Sequence, residues 1–223
     1  RAAFVAASAG KQVAVVTPTT LLCRQHFETF NERFNGFPMS VEQLSRLVGG
    51  KYASRVRERV ADGQIDIIVG THALLSKSVL FKNLGLLVID EEQHFGVAQK
   101  ERLKAIKSDV HVLTLSATPI PRTLQLALSG VRQMSIIATP PIDRLAIRSF
   151  ILPYDRVVIR KAILREHFRG GQIFYVCPRI KDLEHVAVEL RDIVPEIKVL
   201  IAHGKMAARH LDSAMTAFYE GEY

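Results

Sequence analysis

The chain has 223 residues, of which 48% are hydrophobic and 23% charged, enough apolar content to fill the core of one large or two small domains and to exclude a disordered segment. A formal net charge of +8 favours a polyanionic partner without fixing its identity. The two cysteines, Cys23 and Cys177, lie far apart with no CxxC spacing, which argues against a disulfide framework or zinc site and fits a reducing compartment, and no apolar run reaches membrane-spanning length. In chain order, residues 1–9 read as the end of a helix closed by Gly10. Residues 12–16 read as a short buried strand. Thr17-Pro18-Thr19-Thr20 then leads into a helix over about 21–34. Such a turn places hydroxyls and free N–H groups at a helix N-terminus, which suits ordinary capping by Thr19 or Thr20 and equally a phosphate. Residues 39–44 alternate and read as a strand. Residues 51–61 form a basic helical stretch with Lys51, Arg55, Arg57 and Arg59, read as a solvated face. Residues 65–69 are a further buried strand ending in Gly70-Thr71-His72, where a Gly–Thr turn permits close backbone approach to a phosphate. For His72 a local hydrogen-bonding role is the plain alternative.

The most informative stretch is 86–97, LLVIDEEQHFGV. Its apolar residues 86–89 run directly into Asp90, Glu91 and Glu92. A continuous apolar run of this length predicts a strand buried on both faces, as in a parallel sheet. Open α/β sheets bind ligands at the carboxyl ends of their strands, and carboxylates there can hold hydrated magnesium against a phosphate. A solvated loop, or the first turn of a helix, is the alternative. Residues 99–107 then read as a basic amphipathic helix. Residues 110–115 read as a strand with Ser116-Ala117-Thr118 at its end. Pro119 and Pro121 suit a turn and the start of a helix reaching about 128–130, and 134–137 reads as a last strand. Thr139-Pro140-Pro141 breaks the pattern into an extended connector. Beyond it, 146–152, 173–177 and 197–201 read as strands and 155–168, 181–194 and 207–219 as helices, an order that predicts a second parallel sheet.

Two of these segments carry a family resemblance. Asp90-Glu91-Glu92-Gln93 followed by His94-Phe95-Gly96-Val97 resembles the Walker B segment of superfamily 2 helicases and translocases, in the branch that holds RecG and the transcription-repair coupling factors. Leu115-Ser116-Ala117-Thr118-Pro119-Ile120-Pro121-Arg122-Thr123 resembles motif III of the same branch. The wording of 135–141 resembles the coupling factors more than RecG. The resemblance covers nearly the whole chain and implies an α/β fold of two RecA-like lobes with parallel sheets flanked by helices, both incomplete: residues 1–138, a linker 139–145, and 146–223. It implies that Asp90 orients magnesium through water, that Glu91 polarises the attacking water, and that Gln93 with Ser116, Ala117 and Thr118 relays nucleotide state. It further implies that Pro18, Thr19, Thr20, Arg46, Gly70, Thr71, His72, Arg179, His203 and Gly204 line the DNA side. For His203 a turn role stands beside this one.

A phosphate loop, G-x-x-x-x-G-K-[ST], does not occur in these residues; Gly10-Lys11 is followed by Gln12, and Gly49-Gly50-Lys51 by Tyr52. The resemblance places that loop before residue 1 and an arginine finger after residue 223. The chain is therefore expected to be the central part of a larger bacterial cytoplasmic motor, inactive alone, using ATP and Mg²⁺ to translocate on double-stranded DNA. In that family the motor displaces stalled RNA polymerase and brings in excision-repair proteins through domains elsewhere. A RecG-like remodeller of branched DNA and a nucleic-acid-binding module without hydrolysis remain the alternatives. An unrelated doubly wound enzyme, such as a nucleotide-binding transferase, would need a G-x-G-x-x-G turn after a strand, and a metal-dependent hydrolase an H-E-x-x-H or comparable histidine spacing; the sequence has neither.

Overall fold

The computed structural model describes residues 1–45, 48–96, 99, 102, 110–117, 133–139 and 147–223. The chain divides into two compact units, Arg1–Ile136 and Ile137–Tyr223. Arg46, Thr118, the helix expected after Pro121, most of 99–107 and most of the connector lie outside the described residues.

The first unit is a parallel sheet flanked by helices. Its elements are α1 (Ala2–Ser8), β1 (Gln12–Val16), α2 (Thr20–Phe34), β2 (Val41–Leu44), α3 (Gly50–Ala61), β3 (Ile67–Gly70), β4 (Leu84–Asp90) and β5 (His111–Leu115). The five strands lie in the order β2-β3-β1-β4-β5, and all four pairings are parallel. This order puts β1 between β3 and β4, so every residue of β1 is buried. Successive side chains of a strand point to opposite faces. Ala14, Val16, Leu87 and Ile89 accordingly enter one core with Ala53, Val56 and Val60 of α3. Val13, Val15, Leu86 and Val88 enter the other, with Ala3 and Ala7 of α1 and with Cys23, Phe27, Phe30 and Phe34 of α2. Each valine, leucine or isoleucine side chain so removed from water contributes roughly 1.5–3 kcal/mol. Burial also pushes the Cys23 thiol up to about 12, which makes it an inert packing group.

Gln12 is a polar residue only 5% exposed inside this apolar layer. Its amide donates to Val60 O at 2.9 Å and Ile65 O at 3.0 Å, and its carbonyl accepts the Asn83 N–H at 2.9 Å. One side chain thus fastens the start of β1 to the loops before β3 and β4, and its own polar atoms are satisfied, as burial requires.

The second unit contains α4 (Arg156–Phe168), α5 (Leu183–Ile193) and α6 (Ala208–Tyr219), each where the sequence predicts a helix. Asp155 caps α4 by accepting from the N–H groups of Val157 and Val158 at 2.7 and 3.3 Å. Ile163, Leu190, Ile193 and Val194 form a small core, with Ile173, Ile197 and Val199 packed partly against it. The predicted strands here are not paired: the five-stranded sheet is the only sheet among the described residues, and 147–152, 173–177 and 197–201 are unpaired segments. The expected strand at 134–137 is likewise unpaired, with Ile136 and Ile137 exposed. The physical reason is that an apolar run measures a tendency to be buried. Pairing also requires a neighbouring backbone about 4.8 Å away to take up the N–H and C=O groups.

Candidate functional site

The carboxyl end of β4 carries the acids. Parallel pairing sets Asp90 opposite Leu115, so the residues that follow the two strands emerge side by side. The Glu91 N–H donates to Leu115 O at 3.0 Å. Glu91 then turns through φ 51° and ψ 51°, the one non-glycine with positive φ among the described residues. A side chain in this left-handed region costs roughly 1–2 kcal/mol, and such costs collect where function fixes the backbone. The turn brings the Glu91 carboxylate back over the strand ends: Oε1 accepts the Ala117 N–H at 3.2 Å and Oε2 accepts from the Gln93 amide. Gln93 Oε1 in turn accepts from the Ser116 hydroxyl at 3.4 Å. Phe95, 6% exposed, anchors the far side of the loop in the core. Glu91, expected to polarise the attacking water, and Gln93, Ser116 and Ala117, expected to relay nucleotide state, therefore form one hydrogen-bonded unit.

Asp90 is held from another side. His26 of α2 places Nε2 2.8 Å from Asp90 Oδ2, with the two side chains 30% and 17% exposed. Among the described residues no cluster of three or more metal-ligating side chains occurs. Magnesium does not need one, because it commonly binds through one or two carboxylates, waters and substrate phosphates. Asp90, at a strand end with Oδ2 engaged by His26 and Oδ1 as its second oxygen, has the chemistry of such a ligand.

The residues expected on the DNA side fall into two sets. In the first unit Thr17, fully buried, donates from N–H to Gly70 O at 2.9 Å and from its hydroxyl to Thr19 O at 3.2 Å and Gly70 O at 3.4 Å. It thereby draws Pro18, Thr19 and Thr20 to the Gly70-Thr71-His72 turn. Thr19 caps α2, accepting the Leu22 N–H at 3.2 Å. Thr71 accepts the Ala73 N–H at 3.5 Å and is 2% exposed. Thr19 thus performs the capping that the local pattern favours, and Thr71 caps the short helical turn after β3. Gly70 has no room for a side chain: an added Cβ would stand 2.5 Å from Leu44 O and from Leu74 Cγ. In the second unit Arg179 pairs with Asp182 at 2.8 Å. His203 Nδ1 is buried without a hydrogen-bond partner among the described residues, and Gly204 has open space around its Cα.

Sequence reasoning missed His26, the role of Thr17 and the backbone of Glu91. His26 had a faint signal. Cys23, Phe27, Phe30 and Phe34 form the sheet-facing stripe of α2, and His26 sits three residues after Cys23, at the border of that stripe.

Residues 2–127 match the DEAD/DEAH box helicase family. The chain is 57% identical over 212 residues to the transcription-repair-coupling factor of Rickettsia prowazekii (strain Madrid E), covering 95% of the chain and 19% of that protein. It is 48% identical over 223 residues to that of Escherichia coli (strain K12), covering 100% of the chain and 19% of that protein. It therefore spans about a fifth of the length of the curated relatives it matches. Among solved structures, RecG bound to a three-way DNA junction superposes with a TM-score of 0.70 and 34% identity over 96% of this chain and 28% of that one.

Proposed function

The chain belongs to the DEAD/DEAH box helicase family, and from that premise we propose that it is the central part of an ATP-driven motor that translocates on double-stranded DNA. The identity to transcription-repair-coupling factors supports a cytoplasmic bacterial parent that pushes stalled RNA polymerase and brings in excision repair through domains elsewhere. The proposed lobes are 1–138 and 146–223, joined by 139–145. The carrying observation is the loop in which Glu91 holds the Ala117 N–H while Gln93 holds Ser116.

In this reading Asp90 holds magnesium through water, and the ion supplies charge neutralisation at the phosphates. Glu91 accepts a proton from the attacking water, a role its carboxylate can fill while the loop fixes its direction. When the nucleotide changes, the shared hydrogen bonds pass the change to the 116–118 segment. Pro18, Thr19, Thr20, Arg46, Gly70, Thr71 and His72 contact the DNA backbone, with Arg179, His203 and Gly204 contributing from the second lobe. Backbone contacts of this kind position a duplex without reading its sequence.

The test is Glu91→Gln in the full-length protein. ATP turnover should fall by at least about 10²-fold, the scale of a lost general base, while duplex binding is retained. Near-normal turnover would overturn the assignment. A RecG-like remodeller of branched DNA is the second reading, motivated by the RecG superposition. Preference for three-way junctions over linear duplex in a binding competition would favour it.

A further inference from the structure

The contact between His26 and Asp90 has no place in the scheme above. The two residues are 64 positions apart in sequence and meet at 2.8 Å. A carboxylate only accepts hydrogen bonds, so the proton of this bond sits on His26 Nε2. The bond engages Oδ2 and leaves Oδ1 as the oxygen not held by His26. The helix that delivers His26 is itself well fixed. Its N-terminus is capped by Thr19, its inner face packs Phe27, Phe30 and Phe34 onto the core, and Cys23 Sγ lies 3.6 Å from Val69 O. An imidazole that donates to a carboxylate holding a metal, directly or through water, orients that carboxylate, and losing such an outer partner commonly costs about 10–100-fold in metal affinity.

We propose that His26 is a positioning residue for Asp90. It fixes the rotation of the carboxylate and so sets how well the site takes magnesium with nucleotide. Because Thr19 and Thr20 begin the same helix, this bond also ties the segment proposed to grip DNA to the carboxylate proposed to hold the metal. The inference rests on the proposed nucleotide site.

The experiment uses the full-length protein and a fluorescent ATP analogue, with binding titrated against magnesium. His26→Ala should raise the magnesium midpoint by about 10-fold, and His26→Gln, whose amide reaches the position of Nε2, should return it to within about 2-fold of the parent. Duplex binding without nucleotide should be unchanged in both. If His26→Ala leaves the midpoint where it was, the proposal is wrong. It is equally wrong if His26→Gln shifts as far as His26→Ala, because the imidazole would then be packing and not donating. Asp90→Asn separates the two layers of the argument. If that variant leaves the midpoint unmoved, the nucleotide-site reading itself fails, whatever His26 does. Thermal melting reports folding; should His26→Ala not fold, His26→Phe fills the same space without a donor and is scored in its place.

Discussion

The two units are written in the same sequence language and fold to different degrees of completeness. In the first, the apolar run of β1 has a paired backbone on each side and a core on each face. In the second, 173–177 is as apolar as β1, yet Phe174 is 71% and Val176 85% exposed, and of the segment Ile173 alone packs partly on the small core. The difference shows what a buried strand is made of. Hydrophobicity supplies the drive to leave water, but a ladder forms only where a neighbouring backbone takes up the peptide groups of at least one edge. Where it does form, strand ends are held in register, and groups far apart in sequence, such as Glu91 and Ala117, can be placed to within a hydrogen bond.

The sharpest way to break this comparison is to make the same truncation in each unit. Ile89 is fully buried between paired strands and Ile163 is 5% exposed in the smaller core. Ile89→Ala should cost about 4 kcal/mol and Ile163→Ala about 2, since a loosely bounded site collapses more readily around a lost side chain. Urea unfolding followed by a probe in each unit measures both. Equal costs would mean that the second core is as rigid as the first. The next largest single cost is expected at a glycine. Gly70→Ala sets a Cβ against backbone at Leu44 and should cost about 3 kcal/mol by overpacking, whereas Gly204→Ala, with open space around it, should stay within about 0.5 kcal/mol. Thermal melts of the two variants give the ratio directly.

The smallest effect concerns charge in the second unit. The Arg160 guanidinium donates to both oxygens of Glu196 and holds that carboxyl below its usual value. A carboxyl lowered in the folded state adds stability above its unfolded pKa and loses it as pH falls through the folded one. The gap in melting temperature between the parent and Glu196→Gln should therefore be full at neutral pH and close in acid. The pair is solvent-exposed, so the gap should be small and shrink with salt. A gap that widens in acid would contradict the pairing.

Much of this was legible in the sequence, for reasons that differ by element. β1 and β4 were readable because burial on both faces leaves an uninterrupted apolar run. α2 and α4 were readable because their caps and turns are local: Thr19 and Asp155 act on residues two or three positions away. The acid loop was found through its family wording, which marks Asp90, Glu91 and Gln93 but says nothing of the left-handed turn that folds Glu91 onto Ala117. The unpaired segments of the second unit were misread because periodicity cannot report who the neighbour is. His26 escaped notice because its partner lies 64 residues downstream, and no local pattern records a contact of that span.

The left-handed backbone at Glu91 has a consequence for how this loop can change over time. Glycine would relieve the torsional cost at that position but would lose the two hydrogen bonds that the Glu91 carboxylate accepts. The carboxylate there sets a strained backbone against those hydrogen bonds and the charge they hold, the kind of local cost that collects at functional sites. Glutamine bears the same Cβ and the same cost, so the exchange of Glu91 for Gln alters the chemistry at constant strain, and a loss of turnover in that variant can be assigned to the carboxylate and not to a relaxed backbone.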